Sequence, residues 1–141
     1  MVNQEHSVSV AGVIIDDDNR ALLIQRKDNA HWEPPGGILE LGERITDGLR
    51  REVKEETGLD VEPVALTGVY KNMSRGIVAL VFRCYAKDGT LRTNPEVTAF
   101  QWASESDVDG MVAEAFAVRV HDAYHCGTPA AIREHDGIHL L

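Results

Sequence analysis

The sequence predicts an α/β protein in which a mixed β-sheet lies between helices. Three observations support this fold class. Apolar runs rich in β-branched residues recur along the chain at the length of strands. Two segments, at about 43–57 and at 111–124, carry apolar residues at helical spacing. Because strand-like runs lie both before and between these segments, we expect strands and helices to share one core.

The first two strand-like runs are Val8–Ile15 and Ala21–Ile24. The polar stretch 16–19 separates them, which predicts two strands joined by a tight turn. A loop that contains Trp32, two prolines and two glycines follows. This loop leads into a predicted helix at about Glu43–Thr57, which ends at Gly58 because glycine commonly terminates helices.

Three further strand-like segments follow this helix, at Val61–Tyr70, Ile77–Tyr85 and Val97–Trp102. From about Glu105 the chain is expected to be helical. The apolar residues of Met111–Tyr124 have the spacing of one buried helix face. The closing element is therefore predicted to be a helix.

The length of 141 residues predicts one domain, 1–141, without an internal linker. The tail at about 127–141 has no clear period, and its apolar residues are expected to pack on the domain or on a partner subunit in a homodimer. No apolar run approaches the roughly 20 residues that span a bilayer. Residues 1–8 contain no basic stretch, so a secretory signal is not expected. Two cysteines at unrelated positions fit a reducing, cytoplasmic location.

The formal net charge is −9, with 23 acidic and 14 basic residues. A field of this sign repels long nucleic acids, whose binding needs many lysines and arginines. A small anionic substrate can still bind if a metal ion and a few local cations offset the repulsion. We therefore expect a small nucleotide-like partner, no long nucleic acid and no membrane.

The predicted first helix carries three glutamates at i, i+3 and i+4: Glu52, Glu55 and Glu56. This spacing places them on one stripe of the helix, next to an apolar stripe of Ile45, Leu49 and Val53. Carboxylates crowded at a half-buried edge repel one another, and a hard divalent cation relieves that repulsion. The pattern therefore favours a Mg²⁺ site, with Mn²⁺ as a substitute.

The segment Gly37–Leu59 resembles the Nudix box, G-x5-E-x7-R-E-U-x-E-E-x-G-U, in which U is a bulky aliphatic residue. Every fixed position of that pattern is filled. The resemblance extends more loosely from about Ser7 to Tyr124, with Trp32 before the box and Glu96 after it. It implies a Nudix-type α/β/α sandwich and a Mg²⁺-dependent hydrolase that cleaves a diphosphate bond in a nucleotide derivative.

The resemblance also implies roles for individual residues. The metal ligands would be the three helix glutamates, with the Gly37 carbonyl, and Glu43 would support the loop or a second metal ion. Arg51 would orient the carboxylates. The general base is expected to be Glu55 or Glu56, with Glu96 as the alternative. The catalytic group is thus expected to be Arg51, Glu52, Glu55, Glu56 and Glu96.

Substrate contacts are expected from the loops around the box. The candidates are aromatic or cationic residues in or near predicted loops, where substrates commonly bind: Arg26, His31, Trp32, Lys71 and Arg75. Each of the charged ones could instead be solvated, and the Trp32 indole could be buried against the loop.

Several functions remain open at this point. The absence of subfamily markers favours slightly a MutT-like nucleoside triphosphate pyrophosphohydrolase over an ADP-ribose or nucleotide-sugar pyrophosphatase. A nucleotide sensor without catalysis would be favoured by loss of box glutamates, and none is lost. The net charge disfavours an RNA-binding, decapping-type module.

Overall fold

The computed structural model describes residues 5–141. Within this range the chain forms eight strands, two α-helices and one 3-10 helix. The strands are β1 (Ser7–Ile14), β2 (Arg20–Arg26), β3 (Trp32–Glu33), β4 (Gly36–Ile38), β5 (Leu59–Asn72), β6 (Ile77–Gly89), β7 (Val97–Ser104) and β8 (Ala131–His135). The α-helices are α1 (Ile45–Thr57) and α2 (Glu114–Tyr124), and the 3-10 helix is Glu105–Gly110.

Five strands form one mixed sheet in the order β4-β1-β6-β5-β8. β1 runs parallel to β6 and β5 runs parallel to β8, whereas the other neighbours are antiparallel. β3, β2 and β7 form a second, antiparallel sheet. No helix within residues 5–141 is long and apolar enough to cross a membrane.

Strand β1 separates two buried clusters because its side chains alternate between the two faces of the sheet. Val10 packs on the side of α1, in a cluster with Leu49 and Val53. Val13 packs on the side of α2, in a cluster with Val120. The mixed sheet therefore lies between the two helices, and the predicted α/β class is confirmed.

The turn after β1 is as polar as predicted, but β1 and β2 do not form a hairpin. They belong to different sheets and share a single bridge, between Ile15 and Ala21. The Asp16 carboxylate accepts backbone N–H hydrogen bonds from Asp18 (3.0 Å) and Arg20 (2.8 Å), which fixes the turn. A turn signal specifies the local bend, and it does not specify which strand pairs with which.

Both helices begin later than predicted. α1 begins at Ile45, because Glu43 lies in the preceding turn and accepts a hydrogen bond from the Glu40 N–H. Ile45 is itself 44% exposed, so only Leu49 and Val53 of the predicted apolar stripe are buried. α2 begins at Glu114, and 105–110 forms the 3-10 helix, so the helix predicted from Met111 was three residues too long.

The tail of the chain forms β8, a strand that was not predicted from the sequence. An ion-pair network joins β8 to the sheet and to α2. Asp122 of α2 binds the Arg133 guanidinium with two hydrogen bonds of 2.8 Å and accepts a 2.6 Å hydrogen bond from the Tyr70 hydroxyl. Burial alone would raise the pKa of Asp122, but the hydrogen bonds from Arg133 and Tyr70 outweigh it and lower that pKa.

We expect the substitution Asp122→Asn to destabilise the fold by roughly 2 kcal/mol at neutral pH, because it removes the counter-ion of the partly exposed Arg133 and the charged acceptor of the Tyr70 hydroxyl. Tm should fall by about 4–8 °C in a thermal melt. Because the folded-state pKa of Asp122 is lowered, the difference from wild type should be full at neutral pH. It should vanish as the pH falls below the usual aspartate range.

The control Asp47→Asn, in an exposed pair with Arg50, should change stability by less than about 1 kcal/mol. Equal losses in both variants would contradict the assignment.

Candidate active site

A cleft of about 690 Å³ opens where the β4 loop meets α1. Its walls come from three segments that are distant in sequence. Glu52 and Glu56 come from α1, Gly36 and Gly37 from β4, and Glu96 from the loop before β7. Arg26, at the end of β2, also lines the cleft.

Glu56 is the buried carboxylate of the cleft, with 9% of its surface exposed. It accepts a 2.6 Å hydrogen bond from the backbone N–H of Gly36. Burial raises the pKa of Glu56 to about 8 against the opposing effect of that hydrogen bond, and the nearby charges of Glu52, Glu33 and Glu96 add to the rise. Without a cation, this carboxyl group therefore holds its proton at neutral pH.

Glu52 is also partly withdrawn from water. Burial is the largest influence and raises the pKa of Glu52, whereas the Arg51 guanidinium opposes the rise and the charges of Glu55 and Glu96 add to it. The two cleft carboxylates of α1 thus lie in an environment that disfavours their negative charge.

Arg51 connects the box glutamates. It donates to both oxygens of Glu43 (2.6 and 2.9 Å), to Glu52 (2.9 Å) and to Glu55 (3.3 Å). It also donates to the Ile38 carbonyl at 3.2 Å. These hydrogen bonds lower the pKa of Glu43 to about 2, with Arg51 as the main cause and the Glu40 N–H as the second. One guanidinium therefore fixes the loop before α1 against the helix.

The structure brings only some of the predicted metal ligands together. Gly37, Glu52 and Glu56 line the cleft, and Glu96 joins them. Glu43 and Glu55 are held by Arg51 instead and do not line it, and the Glu55 side chain is 60% exposed. Across the described residues 5–141, no three histidine, cysteine or acidic side chains are close enough to form a ready metal cluster.

The donor groups of the cleft nevertheless fit a hard divalent cation. They are all oxygens, and burial raises the pKa of the Glu52 and Glu56 carboxyl groups, with a smaller contribution from neighbouring carboxylates. Gly37 lies so close to Glu52 that a Cβ atom would collide with the Glu52 carboxylate. A glycine at this position therefore keeps the backbone and the carboxylate within reach of one ion.

Asn94 positions the loop that carries Glu96. Its side-chain N–H groups donate to the Glu55 and Glu56 carbonyls at the end of α1 (3.2 and 2.9 Å). Its side-chain oxygen accepts from the backbone N–H groups of Glu96 (2.9 Å) and Val97 (3.1 Å). Asn94 was not predicted as a site residue, since a single asparagine in a polar loop gives no distinguishing signal in the sequence.

The predicted substrate residues fall into two groups. Arg26 lines the cleft, where it binds Asp28 (2.7 Å) and Glu33 (3.1 Å). His31, Trp32 and Arg75 line an adjacent cavity of about 650 Å³, which also includes Arg26 and Glu33.

Lys71 is placed differently from the prediction. It was expected in a loop, but β5 continues to Asn72, so Lys71 lies within a strand opposite Val78. It does not line the cleft or the adjacent cavity. The strand predicted from Val61 ended two residues too early, at Tyr70, because Lys71 and Asn72 lack the apolar character that marks a strand in sequence.

Three residues of this region were not predicted: Asn72, Phe116 and Arg119. Phe116 and Arg119 lie on the inner side of α2, and both line a small cavity of about 190 Å³ next to the cleft. A signal for Arg119 was present, since a charged residue three positions after Phe116 interrupts an apolar helix face.

Comparisons with known proteins agree with this geometry. The NUDIX domain matches residues 5–123. A MutT-like protein of Streptomyces ambofaciens is 53% identical over 136 residues, which cover 96% of this chain and 88% of that protein. The human 8-oxo-dGDP phosphatase is 31% identical over 135 residues, 94% of this chain but 36% of the human protein.

Among solved structures, an ADP-ribose pyrophosphatase from Streptococcus suis has a TM-score of 0.77 at 22% identity. The match covers 93% of this chain and 100% of that one. At this identity the likeness shows the fold, and it confirms the α/β/α architecture with its central mixed sheet. From the domain match and the Streptomyces relative it follows that this chain is a member of the Nudix hydrolase family.

Proposed function

We propose that the protein hydrolyses a diphosphate bond of a small nucleotide, with Mg²⁺ as its cofactor and Mn²⁺ as a substitute. The favoured substrate class is nucleoside di- or triphosphates. The observation that carries the proposal is the cleft in which Gly37, Glu52, Glu56 and Glu96 converge. It continues past Arg26 into the cavity lined by Trp32, which offers room for the nucleoside.

The metal would be held by Glu52 and Glu56 with the Gly37 carbonyl, and Glu96 would complete the set from the opposite loop. When bound, Mg²⁺ supplies charge to offset the phosphate oxygens and makes a water molecule more acidic. Glu43 and Glu55 would not bind the metal ion themselves. They bind Arg51, which in turn holds Glu52 in place.

The chain's own residues account for the remaining chemistry. The water oxygen attacks phosphorus, the bridging P–O bond breaks, and the proton of the water passes to a carboxylate. We assign this role to Glu56 because its Oε1 atom accepts the Gly36 N–H and would keep a second lone pair for the metal ion, which leaves Oε2 for the proton. Glu55 is set aside because it lies outside the cleft. Arg26, at the edge of the cleft, would bind the leaving phosphate.

Two considerations favour nucleoside phosphates over other Nudix substrates. The human relative that covers most of this chain is named for 8-oxo-dGDP. The cavity beside the cleft also has aromatic walls, Trp32 and Phe116, that suit a base. A sensor is disfavoured because no box glutamate is replaced, and an RNA-binding module because the net charge is −9.

The test is hydrolysis of a nucleotide panel in about 5–10 mM Mg²⁺, with nucleoside triphosphates and diphosphates, ADP-ribose and nucleotide sugars. We expect turnover of the nucleoside phosphates, loss of that turnover in EDTA and its recovery with Mg²⁺ or Mn²⁺. Mg²⁺ should also raise Tm, because an ion that binds only the folded state stabilises it. Preferential turnover of ADP-ribose would move the assignment to the pyrophosphatase alternative. Tight binding without turnover on any compound would replace the hydrolase by a sensor.

The proposed location is the cytoplasm. Cys84 is a buried free thiol, and burial raises its pKa to about 12, so it stays protonated and unreactive. Cys126 is the second free cysteine and is partly exposed. An unpaired, partly exposed thiol is typical of a reducing compartment.

A further inference from the structure

His121 of α2 lies between two carboxylates of the preceding 3-10 helix. Its Nδ1 atom is 3.0 Å from Oε2 of Glu105, and its Nε2 atom is 2.8 Å from Oδ1 of Asp109. Within residues 5–141, these are the only ion pairs that join the 3-10 helix to another element. The buried side chain of Val108 adds an apolar attachment. His121 is therefore the point at which polar contacts hold the 3-10 helix on α2.

This geometry requires a charged imidazole. A neutral imidazole has one N–H donor and one acceptor nitrogen, whereas an imidazolium has two donors. Carboxylate oxygens are acceptors, so a neutral ring would leave a nitrogen lone pair facing an oxygen of Glu105 or Asp109. The two hydrogen bonds therefore exist together only while His121 carries its positive charge.

The charges around the ring favour the protonated state. Burial alone would lower the pKa of His121, but the hydrogen bonds to Asp109 and Glu105, and the charges of the same two groups, outweigh it and raise that pKa. The charged side chains that line the depressions on either side of the ring come from the 3-10 helix, the turn before β2 and α2 itself, and all are acidic: Glu105, Asp109, Asp18 and Glu114. The tail contributes the apolar Leu140.

The 3-10 helix is continuous with a wall of the larger cavity. Met111 follows it directly, and the amides of Met111 and Val112 donate to the Val108 carbonyl at 3.0 and 2.9 Å. Met111 and Ala113 line the cavity of about 650 Å³ that contains Trp32. The segment that His121 holds therefore leads into this wall without an intervening element.

We propose that His121 is a pH-sensitive switch, which holds the 3-10 helix on α2 while it is protonated and releases it when the proton is lost. The inference goes beyond the proposed function and does not depend on it. Release lets the segment 105–113 open more often, together with the cavity wall at Met111 and Ala113.

The direction of the pH dependence follows from the raised pKa of His121. The stabilisation is complete below the pKa that histidine has in the unfolded chain, and it is lost as the pH rises through the folded-state pKa. The effect is moderate, because the Asp109 side chain is 72% exposed and solvent screens its pair with His121. Local opening is therefore a more sensitive measure of it than Tm.

The first measurement is an NMR titration of the His121 imidazole in the full chain. Its midpoint should lie above that of an ordinary histidine, and the double variant Glu105→Gln/Asp109→Asn should lower it. Asp107→Asn is the matched control, because Asp107 is an exposed acid of the same 3-10 helix and forms no ion pair with His121. This control should lower the midpoint far less, since solvent screens the distant charge.

The second measurement is hydrogen exchange at the Met111 and Val112 amides, corrected for the intrinsic exchange rate. At about pH 6, protection should be about 3- to 30-fold greater in wild type than in His121→Gln, as expected for two partly exposed ion pairs. The ratio should approach unity at about pH 9, where His121 has lost its proton. Glutamine takes up no proton, so effects of pH on the rest of the fold cancel in this ratio.

The outcomes decide the proposal. A midpoint of His121 at or below that of an ordinary histidine would overturn it without any variant. An unchanged midpoint in Glu105→Gln/Asp109→Asn would show that the two carboxylates do not hold the proton. A protection ratio that stays constant between the two pH values would show that the proton does not control the 3-10 helix. Neither measurement requires turnover, so failure of the proposed hydrolysis would leave this inference intact.

Discussion

Replacing Glu56 by glutamine should lower kcat by about 10²- to 10⁴-fold on the preferred nucleotide. Glutamine keeps the size of the side chain and an oxygen for the Gly36 N–H, but it can neither take up a proton nor offer a charged ligand. In EDTA, Tm should stay unchanged or rise, because the substitution removes a buried carboxyl group whose ionisation the fold disfavours. The stabilisation by Mg²⁺ should be smaller than in wild type.

Glu62→Gln is the matched control, since Glu62 lies on β5 and pairs with Arg50 and Lys87, away from the cleft. Its kcat should remain within about twofold of wild type, as expected for an exposed pair. A Glu56→Gln enzyme with more than a tenth of wild-type activity would remove Glu56 from the base assignment. If Glu96→Gln then showed the large loss, the role would pass to the loop carboxylate.

The second large effect is expected from Arg51→Lys. Lysine keeps the charge but lacks the planar fork, so it cannot hold Glu43, Glu52 and the Ile38 carbonyl together. We expect a loss of roughly 10- to 100-fold in kcat/KM or in the apparent affinity for Mg²⁺. A Mg²⁺ titration of the rate separates the two, because a misplaced Glu52 should mainly raise the Mg²⁺ concentration needed for half-maximal activity.

Arg50→Lys provides the comparison. Arg50 is the preceding residue on the same helix, and it pairs with Asp47 and Glu62 on the outer surface. The Mg²⁺ dependence of this variant should match that of wild type. Equal behaviour of the two variants would show that the contacts of Arg51 do not position the metal ligands.

The first helix could be predicted from sequence because its features are local. Glu52 and Glu56 share a stripe set by helical periodicity, and Leu49 and Val53 mark the buried side. Gly58 ends the helix in the left-handed conformation, with φ of 85°. Each of these follows from residues within one or two turns of one another.

Local features do not predict which of the glutamates line the cleft and which bind Arg51. The spacing places Glu55 beside Glu52 and Glu56, yet the helix turns Glu55 towards solvent and Arg51. Glu96 reaches the cleft only because Asn94 ties its loop to the end of α1. Such contacts depend on how distant segments pack, and a single sequence does not contain that information in readable form.

Strand pairing could not be predicted for the same reason. The segment Ala131–His135 is short, and its polar residues Arg133 and Glu134 do not have the pattern of a strand. It forms a strand because it pairs with the open edge of β5. Arg119 is the opposite case, since its charge on an apolar face was visible. That Arg119 lines a cavity could be seen only in the structure.

The interior position of β1 in the five-stranded sheet, between β4 and β6, has a consequence for the order in which the chain folds. Its parallel partner is β6, with Ser7 opposite Ile77. β1 therefore cannot pair with β6 until α1 and the β5–β6 hairpin have been synthesised. Closing so long a loop is slow, whereas the hairpin forms from neighbouring residues. β4 pairs with β1 in the sheet, with Val10 opposite Gly37, and therefore docks with it. The cleft between Gly37 and Glu52 is thus completed late in folding, and a partly folded chain should carry no activity.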